Sequence, residues 1–552
     1  MNFDLPPTGT EQPPAFTSAA TCQDWLATVP VANAVQAQSM LLRQLNLLHR
    51  YTLATDERFR ILETLRRTIC EVQDDAAKKF AGKPLPLVPH EQAALGSSLN
   101  LWLELALGYL RCFDECCGGI SAPPSELEKL REHCSGDPKL AHRAALMAQR
   151  TLAVFADWQL DITRGGQLPE PVYWQKLHQI MAVVEALGVT RDLVHDSVHH
   201  GTVQTSPMAA YGESCLLASA NIYELPSRQV AWAARWARRW GPKLAILTAP
   251  PDDLRNRAVP LWIDLESDRA PSYLPRQAEG GRWLETTELR KSLIDRIALL
   301  EQGRAPAELQ LGDDVTQPAA TQLLQRLLQR WCKGGAERRH ERSASDQACR
   351  LVIGMEQVHF ELSGRKALRP PTRSDSKLRR EREEFETFGN ISHRSAAAHA
   401  SSDDHIETWR LVDESTSGLR VRRGLKDGTR VGPGQVIAAR TVDGQYFVIG
   451  NVRWVLREGN DSLVAGIQLF LGEPRAIGTR PLDDTAARAS WLPGFALPAV
   501  PALKESASIL VPAGTFRLDR QVEIVAGQET RKLKLFRVLD RGLEFERCNY
   551  YD

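Results

Sequence analysis

Hydrophobic residues in the first half of the chain recur at helical spacing. Two early sets each fall on one helical face: Leu41, Leu42, Leu45 and Leu48, then Phe59, Leu62, Ile69 and Val72. Asp56 precedes the second set and is expected to be the N-cap of that helix. We therefore predict an α-helical domain over residues 23–240. It follows a lead-in over residues 1–22, rich in Pro, Thr and Ala, that we expect to be flexible.

The pattern changes between residues 241 and 334. The short apolar runs KLAILTAP and AVPLWIDLES are typical of strands, whereas Trp283–Leu300 and Ala319–Trp331 have helical spacing. Thr286 or Thr287 is expected near the start of the first of these helices, and a Lys-Gly-Gly sequence ends the second. This stretch is predicted to be a mixed α/β connecting region that ends in a helix.

Strand-like runs joined by short turns dominate residues 349–472. Six candidates follow one another: CRLVIGMEQVHFEL, ETWRLV, GLRVRR, QVIAARTV, QYFVIGNVRWVL and SLVAGIQLFLG. Asp443-Gly444 separates the fourth run from the fifth and predicts a two-residue hairpin turn. A stretch rich in Ser, Ala, Arg and Glu, at about 364–404, interrupts the pattern and is expected to be a mobile loop. Runs of this kind suit a small antiparallel barrel.

Four further strand-like runs predict a small C-terminal β-unit over residues 485–552: WLPGFAL, ASILVP, KLKLFRVL and LEFERC. A chain of 552 residues is too long for one ordinary core, so several domains are expected. The predicted fold class is multidomain α+β. It has an N-terminal α-helical region, then an antiparallel β-barrel, then the small β-unit.

Composition narrows the class of protein. Hydrophobic residues make up 43% of the chain and charged residues 25%, as in a soluble globular protein. The net charge of +1 disfavours nucleic-acid binding, which needs a basic field, but allows a small anionic ligand held by a few arginines. We find no signal-peptide pattern and no apolar run near the ~20 residues of a transmembrane helix. A cytoplasmic protein with ten reduced cysteines is expected.

Two short motifs are candidate ligand contacts. Arg338-Arg339-His340-Glu341-Arg342 has the form R-x-x-x-R, just before the β-rich region. Asp413-Glu414-Ser415-Thr416-Ser417-Gly418 has the form D-x-S-x-x-G, between two strand-like runs. Each is common alone, because the first recurs by chance in an Arg-rich chain and the second is also an ordinary hairpin turn. Their order and strand context make the pair informative.

Together the two motifs resemble the ligand signature of the PilZ domain, a small bacterial β-barrel that binds the second messenger cyclic di-GMP. The resemblance covers about residues 335–475, and GNVRWV followed by VAGIQLF is similar to later strands of such domains. It implies a PilZ-like antiparallel β-barrel that carries the 364–404 insertion. It also implies that cyclic di-GMP is bound as a ligand and that no cofactor is needed.

Arginine suits the phosphates and guanines of cyclic di-GMP. Its planar fork binds phosphate in a bidentate way, donates to the guanine edge and stacks on a purine face. The resemblance assigns this role to Arg338 and Arg342, with Arg339 as an auxiliary contact.

The D-x-S-x-x-G turn suits the remaining contacts. Asp413 can accept from guanine N1–H and N2–H₂, and the Ser415 hydroxyl can donate to a phosphate or a base. Gly418 is expected to be free to take a positive φ and to let the ligand approach the backbone. In the PilZ family these three positions form the ligand-contacting turn.

The spacing of the two motifs departs from the family. Arg342 and Asp413 are 413 − 342 = 71 positions apart, which is far more than PilZ domains usually show. We attribute the excess to the insertion at 364–404. If that loop leaves the barrel from one edge, the site survives. If it folds over the mouth of the barrel, it blocks the ligand or adds contacts through its own arginines.

The other reactive side chains do not form a recognisable catalytic or metal motif. Cys112, Cys116 and Cys117, with His133 and Cys134, invite a zinc site, but the C-x₃-C-C spacing is unusual for one, so buried thiols and no metal are expected. P-loop, nucleophile-elbow and dinucleotide-binding fingerprints are absent. So are the signatures of enzymes that make or break cyclic di-GMP. We expect a binding protein and not an enzyme.

The sequence thus predicts a cytoplasmic cyclic di-GMP receptor and adaptor. Ligand binding at the PilZ domain would reorient the domains and regulate a protein partner through the α-helical region. The family resemblance suggests control of bacterial motility or surface attachment. The alternative is a structural interaction protein whose PilZ-like barrel is a docking module that binds no ligand. The long insertion favours that alternative, and the intact arginine pair with Asp413 and Ser415 favours the receptor.

Overall fold

The computed structural model divides the chain into two compact units, one of residues 1–83 and 87–338 and one of residues 84–86 and 339–552. The structure describes these residues: 5–9, 12–118, 124–198, 204–251, 255, 257–335, 342–368, 405–482, 490–527 and 529–551. Most of the predicted insertion at 364–404 therefore lies outside the described residues. None of the described helices is both long and apolar enough to cross a bilayer.

The first unit is mainly helical, as predicted. Its described helices are α1 Ala19–Leu26, α2 Ala34–Arg50, α3 Thr55–Ala77, α4 Pro89–Cys117, α5 Pro124–Gly136, α6 Pro138–Arg164, α7 Pro171–Leu187, α8 Pro207–Ser219, α9 Ser227–Trp240, α10 Thr287–Glu301 and α11 Ala319–Cys332. Its described strands are β1 Val194–His195, β2 Gln204–Thr205, β3 Ala245–Leu247, β4 Leu261–Asp264 and β5 Gly281–Glu285. The first two strands form a hairpin, and the other three form an antiparallel sheet with β5 in the centre.

Regular apolar spacing explains the core of this unit. Leu41, Leu45 and Leu48 of α2 are fully buried, as their helical spacing predicted. A second stripe was not singled out from the sequence: Trp232, Trp236 and Trp240 recur every four residues along α9 and are also buried. Each indole packs against the next, with ring centroids 6.2 and 6.0 Å apart.

Two helix starts differ from the prediction. Asp56 is not the N-cap of α3, because Ala54 holds that position and Asp56 lies in the first turn. Its charge there faces the positive end of the helix dipole. Trp283 is not helical, because it lies in β5 opposite Trp262. The helix begins only at Thr287, directly after Thr286, so the expectation of a threonine near its start is confirmed.

The second unit contains the predicted barrel. Its described strands are β6 Ser343–Ala344, β7 Ala348–Ile353, β8 Ile406–Ser415, β9 Gly418–Gly424, β10 Val436–Thr441, β11 Val448–Glu458 and β12 Ser462–Leu469. The order is β6-β8-β7-β10-β11-β12-β9, and pairing of β9 with β8 closes six of the strands into a barrel. We call this the PilZ barrel. The short β6 adds to the edge of β8 beyond the end of β7.

Two local predictions within the PilZ barrel are wrong. The run CRLVIGMEQVHFEL is not one strand: β7 ends at Ile353, Gly354 takes a φ of 96°, and a helix, α12 Met355–Leu362, follows. Met355, Val358 and His359 of that helix are buried, at the i, i+3 and i+4 spacing of one helical face. Asp443-Gly444 does not form a two-residue turn, since six residues separate Thr441 from Val448.

A second closed barrel forms the C-terminus, and it has six strands where the sequence predicted four. They are β13 Arg475–Pro481, β14 Leu492–Leu497, β15 Ser508–Pro512, β16 Gln521–Ala526, β17 Glu529–Arg541 and β18 Phe545–Tyr551, in the order β13-β14-β15-β18-β17-β16. We call this the C-terminal barrel. The strands missed from the sequence are β13, which lies ahead of the predicted start at residue 485, and β16.

The two barrels share a hydrophobic core. One cluster of buried side chains includes Val352, Val436 and Ile449 from the PilZ barrel together with Phe495 and Phe545 from the C-terminal barrel. Helix α12 contributes Met355 and Val358 to the same cluster. Neither barrel can therefore lose its partner without exposing apolar surface, which favours their folding as one body.

Candidate functional site

The described residue of the first motif, Arg342, contacts the second motif on the outer face of the PilZ barrel. Arg342 immediately precedes β6, whose Ala344 pairs with Asp413 of β8. The Arg342 guanidinium donates a hydrogen bond to the Asp413 carboxylate and forms an ion pair with it. The side chains remain 36% and 21% exposed, so a ligand in solvent can reach both. A separation of 71 positions in sequence is thus closed by strand pairing.

The other predicted residues divide between described and undescribed parts of the chain. Ser415 ends β8 and Gly418 begins β9, so the D-x-S-x-x-G motif is a hairpin turn, as predicted. The Ser415 hydroxyl donates to the Gly418 carbonyl oxygen at 3.3 Å. Arg338 and Arg339 fall outside the described residues. Their roles stay predictions from the resemblance.

Gly418 is needed for a different reason from the one predicted. It lies in the strand and is not among the glycines with a positive φ, so the expectation of a left-handed turn residue is wrong. A Cβ at this position would stand 2.8 Å from the carbonyl oxygen of Ile467 in β12. Close approach of the neighbouring strand, and not turn geometry, therefore excludes a side chain here.

We expect Gly418→Ala to weaken both the hairpin and ligand binding. The new methyl group meets backbone, which cannot rotate away, so β12 must shift, at a cost of about 1–3 kcal/mol in unfolding free energy. Thermal unfolding and ligand titration of the variant measure the two effects. Thr416→Ala is the matched control, because Thr416 is an exposed residue of the same turn. Equal behaviour of the two variants would contradict this account.

Strand register brings three further residues to the site that the sequence did not indicate. Asp413 pairs with Arg420 of β9, Arg420 pairs with Gly466 of β12, and Gly466 pairs with Trp454 of β11. Residues directly opposite each other in a sheet project from the same face. The four side-chain positions thus form one row across the outer surface. The only sequence signal for them is strand alternation, and it identifies the row once the pairing is known.

The Trp454 ring lies over the gap that Gly466 leaves. A Cβ at Gly466 would overlap the indole ring, so the glycine is what lets the ring lie against the sheet. Trp454 stays half-buried, with part of the ring open to solvent. An aromatic face beside arginine side chains is a surface on which a purine base can stack.

Arginines outnumber the acidic groups near the row. Arg422 is paired with Glu458, and Arg420 approaches the same carboxylate at 3.6 Å. The buried Nε of Arg420 has no hydrogen-bond partner among the described residues. Three arginines, Arg342, Arg420 and Arg422, therefore face two carboxylates, those of Asp413 and Glu458. This local positive excess suits a phosphate-bearing ligand.

The helical unit holds a separate polar cavity of about 710 Å³. Its charged lining is largely paired internally: Arg238 contacts Glu213 at 3.0 Å and also bonds to Asp157, while Arg164 contacts Asp161 at 3.0 Å. The ion pairs of Arg238 connect α9 with α6 and α8, whereas the Arg164–Asp161 pair lies within α6. We assign no ligand to it.

The cysteine cluster behaves as part of the helical core. Cys112, Cys117 and Cys134 are buried free thiols, as expected, and Cys116 is partly exposed. Burial raises the pKa of Cys112 to about 12, so this thiol stays protonated at neutral pH. In the part of the chain that the structure describes, no group of three or more His, Cys, Asp or Glu side chains is arranged to hold a metal ion.

Comparison with known proteins agrees with this architecture. Three family models match in succession: the N-terminal domain of the cyclic-di-GMP receptor FimW over residues 20–252, its middle PilZ domain over 261–405, and the FimW C-terminal β-barrel domain over 477–552. The middle match includes the R-x-x-x-R segment and ends before Asp413. The placement of the D-x-S-x-x-G half therefore depends on the strand pairing described above.

One curated relative spans nearly the whole chain. The cyclic-di-GMP receptor FimW of Pseudomonas aeruginosa is 24% identical over 573 aligned positions, which cover 96% of this chain and 90% of the relative. The N-terminal match lies within the helical unit and the C-terminal match within the C-terminal barrel. The middle match covers the last part of the helical unit and, of the described strands of the PilZ barrel, only β6 and β7. The chain is therefore a PilZ-domain protein that is similar over nearly its whole length to the cyclic di-GMP receptor FimW.

Proposed function

We propose that this protein is a receptor that binds cyclic di-GMP on the outer face of the PilZ barrel, around Arg342, Asp413, Ser415 and Gly418. The observation that carries the proposal is the Arg342–Asp413 ion pair, which unites the two motif halves on an exposed surface. The family adds support, because the relative that spans 96% of the chain is named a cyclic di-GMP receptor.

The ion pair prepares both side chains for the ligand. Arg342 has five N–H donors and uses one of them on Asp413, so the others stay available for a phosphate oxygen. Asp413 holds the guanidinium against the barrel and keeps its second oxygen for guanine N–H groups. The preorganised pair lowers the entropy that binding must overcome. Arg338 and Arg339 supply the further phosphate contacts that the resemblance implies.

The row of Asp413, Arg420, Gly466 and Trp454 supplies the rest of the proposed ligand-binding surface. Gly466 lets the Trp454 ring lie against the sheet, and the neighbouring Gly418 carries no side chain, so this part of the surface is low enough for a flat ligand to lie on it. A guanine base stacked on the Trp454 ring would place its sugar and phosphate toward Arg420 and Arg342. Stacking of this kind is worth about 1–3 kcal/mol per base.

Arg342→Ala should weaken cyclic di-GMP binding about 10- to 150-fold, because it removes a charge-assisted contact of about 1.5–3 kcal/mol. Titration calorimetry of the full chain measures the change. Arg531→Ala is the matched control, since Arg531 is an exposed arginine on the C-terminal barrel whose ion pair is with its neighbour Glu529. Unchanged affinity in the Arg342 variant would refute the site assignment and leave the fold untouched.

Signalling would use the junction between the two compact units. The division between them falls at residues 338 and 339, within the R-x-x-x-R segment. A ligand that draws these arginines onto the PilZ barrel would fix the connecting chain and thereby change how the helical unit moves relative to it. Small-angle X-ray scattering with and without cyclic di-GMP tests this step. An unchanged scattering profile at saturating ligand would contradict it.

The readout is proposed to be a protein partner that contacts the α-helical unit, in control of motility or surface attachment. Affinity capture of the full chain from its own cell extract, with and without cyclic di-GMP, identifies partners whose binding depends on the ligand. Arg342→Ala should remove that dependence. If the wild-type chain binds no cyclic di-GMP, the alternative of a ligand-free docking module takes its place.

A further inference from the structure

A second row of side-chain positions lies on the outer face of the PilZ barrel. It begins at the proposed site and ends where the C-terminal barrel covers it. Ser415 pairs with Gly418, Gly418 with Gln468, Gln468 with Asn451, and Asn451 with Val436. All five positions therefore project from the same face. Gln468 is exposed, whereas Asn451 is only 2% exposed and Val436 is fully buried. The C-terminal barrel thus begins to cover the row between Gln468 and Asn451.

Asp540 lies at that border. The Asn451 side-chain amide donates to one carboxylate oxygen of Asp540 at 3.4 Å, and the backbone N–H of Arg541 donates to the other at 2.9 Å. Asp540 stays partly exposed. Because Gln468 and Asn451 are direct cross-strand partners, the residue that Asp540 contacts lies about one strand spacing, ~4.8 Å, from the exposed Gln468.

The hairpin that carries Asp540 is fixed to the PilZ barrel and to α12 by two hydrogen bonds. The backbone N–H of Leu543 donates to the Gly434 carbonyl oxygen at 2.7 Å. The Glu544 carboxylate accepts from the backbone N–H of Met355 at 2.9 Å. These contacts set the position of Asp540 relative to the ligand face without relying on the flexibility of its own side chain.

One buried acceptor at this border has no donor among the described residues. It is the carbonyl oxygen of the Asn451 side chain. Burial raises the pKa of Asp540, and the nearby Arg453 guanidinium and the Arg541 N–H only partly offset that effect. A buried acceptor without a donor costs free energy, so a ligand group that donates N–H bonds here is favoured.

We propose that Asp540 of the C-terminal barrel forms one wall of the cyclic di-GMP site and accepts hydrogen bonds from a guanine edge of the ligand. The inference rests on the proposed function. Cyclic di-GMP carries two guanines, and Asp413 can serve only one of them. Asp540 supplies the matching carboxylate at the other end of the row, about three strand spacings, ~14 Å, from β8. The N1–H and N2–H₂ donors of guanine suit it.

Titration calorimetry of the full chain with two ligands tests the role of Asp540. Cyclic di-GMP is compared with cyclic di-inosine monophosphate, which lacks the exocyclic amino groups. Asp540→Asn should weaken cyclic di-GMP binding about 10- to 100-fold and should reduce the preference for guanine over inosine. Asp519→Asn is the matched control, because Asp519 is an exposed aspartate of the same barrel, 3.3 Å from Lys534.

Hydrogen exchange of the unmutated chain gives an independent measurement that needs no folded variant. Cyclic di-GMP should slow exchange of the backbone amides at residues 540–543. Unchanged exchange there, or an Asp540→Asn variant with wild-type affinity and preference, overturns the inference while loss of binding in Arg342→Ala still supports the proposed function. No binding of cyclic di-GMP to the wild-type chain overturns both.

Discussion

The double substitution Arg338→Ala, Arg342→Ala is expected to reduce cyclic di-GMP affinity by roughly 10²- to 10⁴-fold. Each arginine removes a charge-assisted contact of about 1.5–3 kcal/mol, so the pair removes about 3–6 kcal/mol when the two effects add. Loss of Arg342 also leaves the Asp413 carboxylate without the partner that it has in the free protein. Titration calorimetry against the wild-type chain measures the effect.

Matched substitutions separate charge removal at the site from charge removal in general. Arg475→Ala with Arg531→Ala also removes two exposed arginines, both from the C-terminal barrel, and should leave affinity close to that of the wild type. The wild-type affinity should itself fall as salt increases, because phosphate contacts are screened. A double Arg338, Arg342 variant that keeps affinity within about fivefold of the wild type would show that the ligand binds elsewhere.

The sequence predicted the elements of this fold best where spacing alone decides them. The leucines of α2 match the helical periodicity, and most residues of β9 alternate between buried and less buried positions as a strand requires. The run after Ile353 matches both the strand and the helical periodicity, because the apolar residues in MEQVHFEL suit either element. Gly354, with its positive φ, ends the strand, and burial of Met355 and Val358 against both barrels selects the helix. That selection depends on residues distant in sequence.

The C-terminal barrel was underpredicted for a related reason. Strand β13 contains Gly478 and ends at Pro481, two residues that disfavour strands in a local view. Here Gly478 is required, because a Cβ would stand 2.8 Å from the Val525 side chain of β16. The same strand pairs with both β14 and β16, so it closes the barrel. The glycine and proline of β13 are explained only by the pairing of this strand with both of its neighbours.

Sequence motifs identified only part of the candidate site. The D-x-S-x-x-G motif predicted a hairpin turn correctly, and the need for glycine at its end was also correct, although the reason is the approach of Ile467. Arg420, Gly466 and Trp454 could not be assigned to the site from the sequence. Their contribution depends on which strands pair and in which register, and that information is not local.

A large loss of stability is expected from Phe545→Ala. Phe545 is fully buried in the cluster shared by the two barrels, and its ring packs edge-on against Phe470 at a centroid distance of 5.5 Å. Removing a buried phenyl ring costs about 3–5 kcal/mol, through lost transfer free energy and the cavity left behind. For a body of this size, 1 kcal/mol lowers the melting temperature by about 2–4 °C. Calorimetric unfolding should therefore show a fall of roughly 6–20 °C.

The location of the stability loss shows whether the two barrels unfold as one body or separately. Phe536→Ala is the matched control, because Phe536 stacks on Tyr551 at 4.4 Å on the outside of the same barrel and is only half-buried. It should cost about 1 kcal/mol. Because Val436 and Ile449 share the cluster with Phe545, Phe545→Ala should speed hydrogen exchange in β10 and β11 as well as in β18. Faster exchange confined to the C-terminal barrel would mean that the barrels unfold separately, and the Asp540 wall of the ligand site would then lack a rigid support.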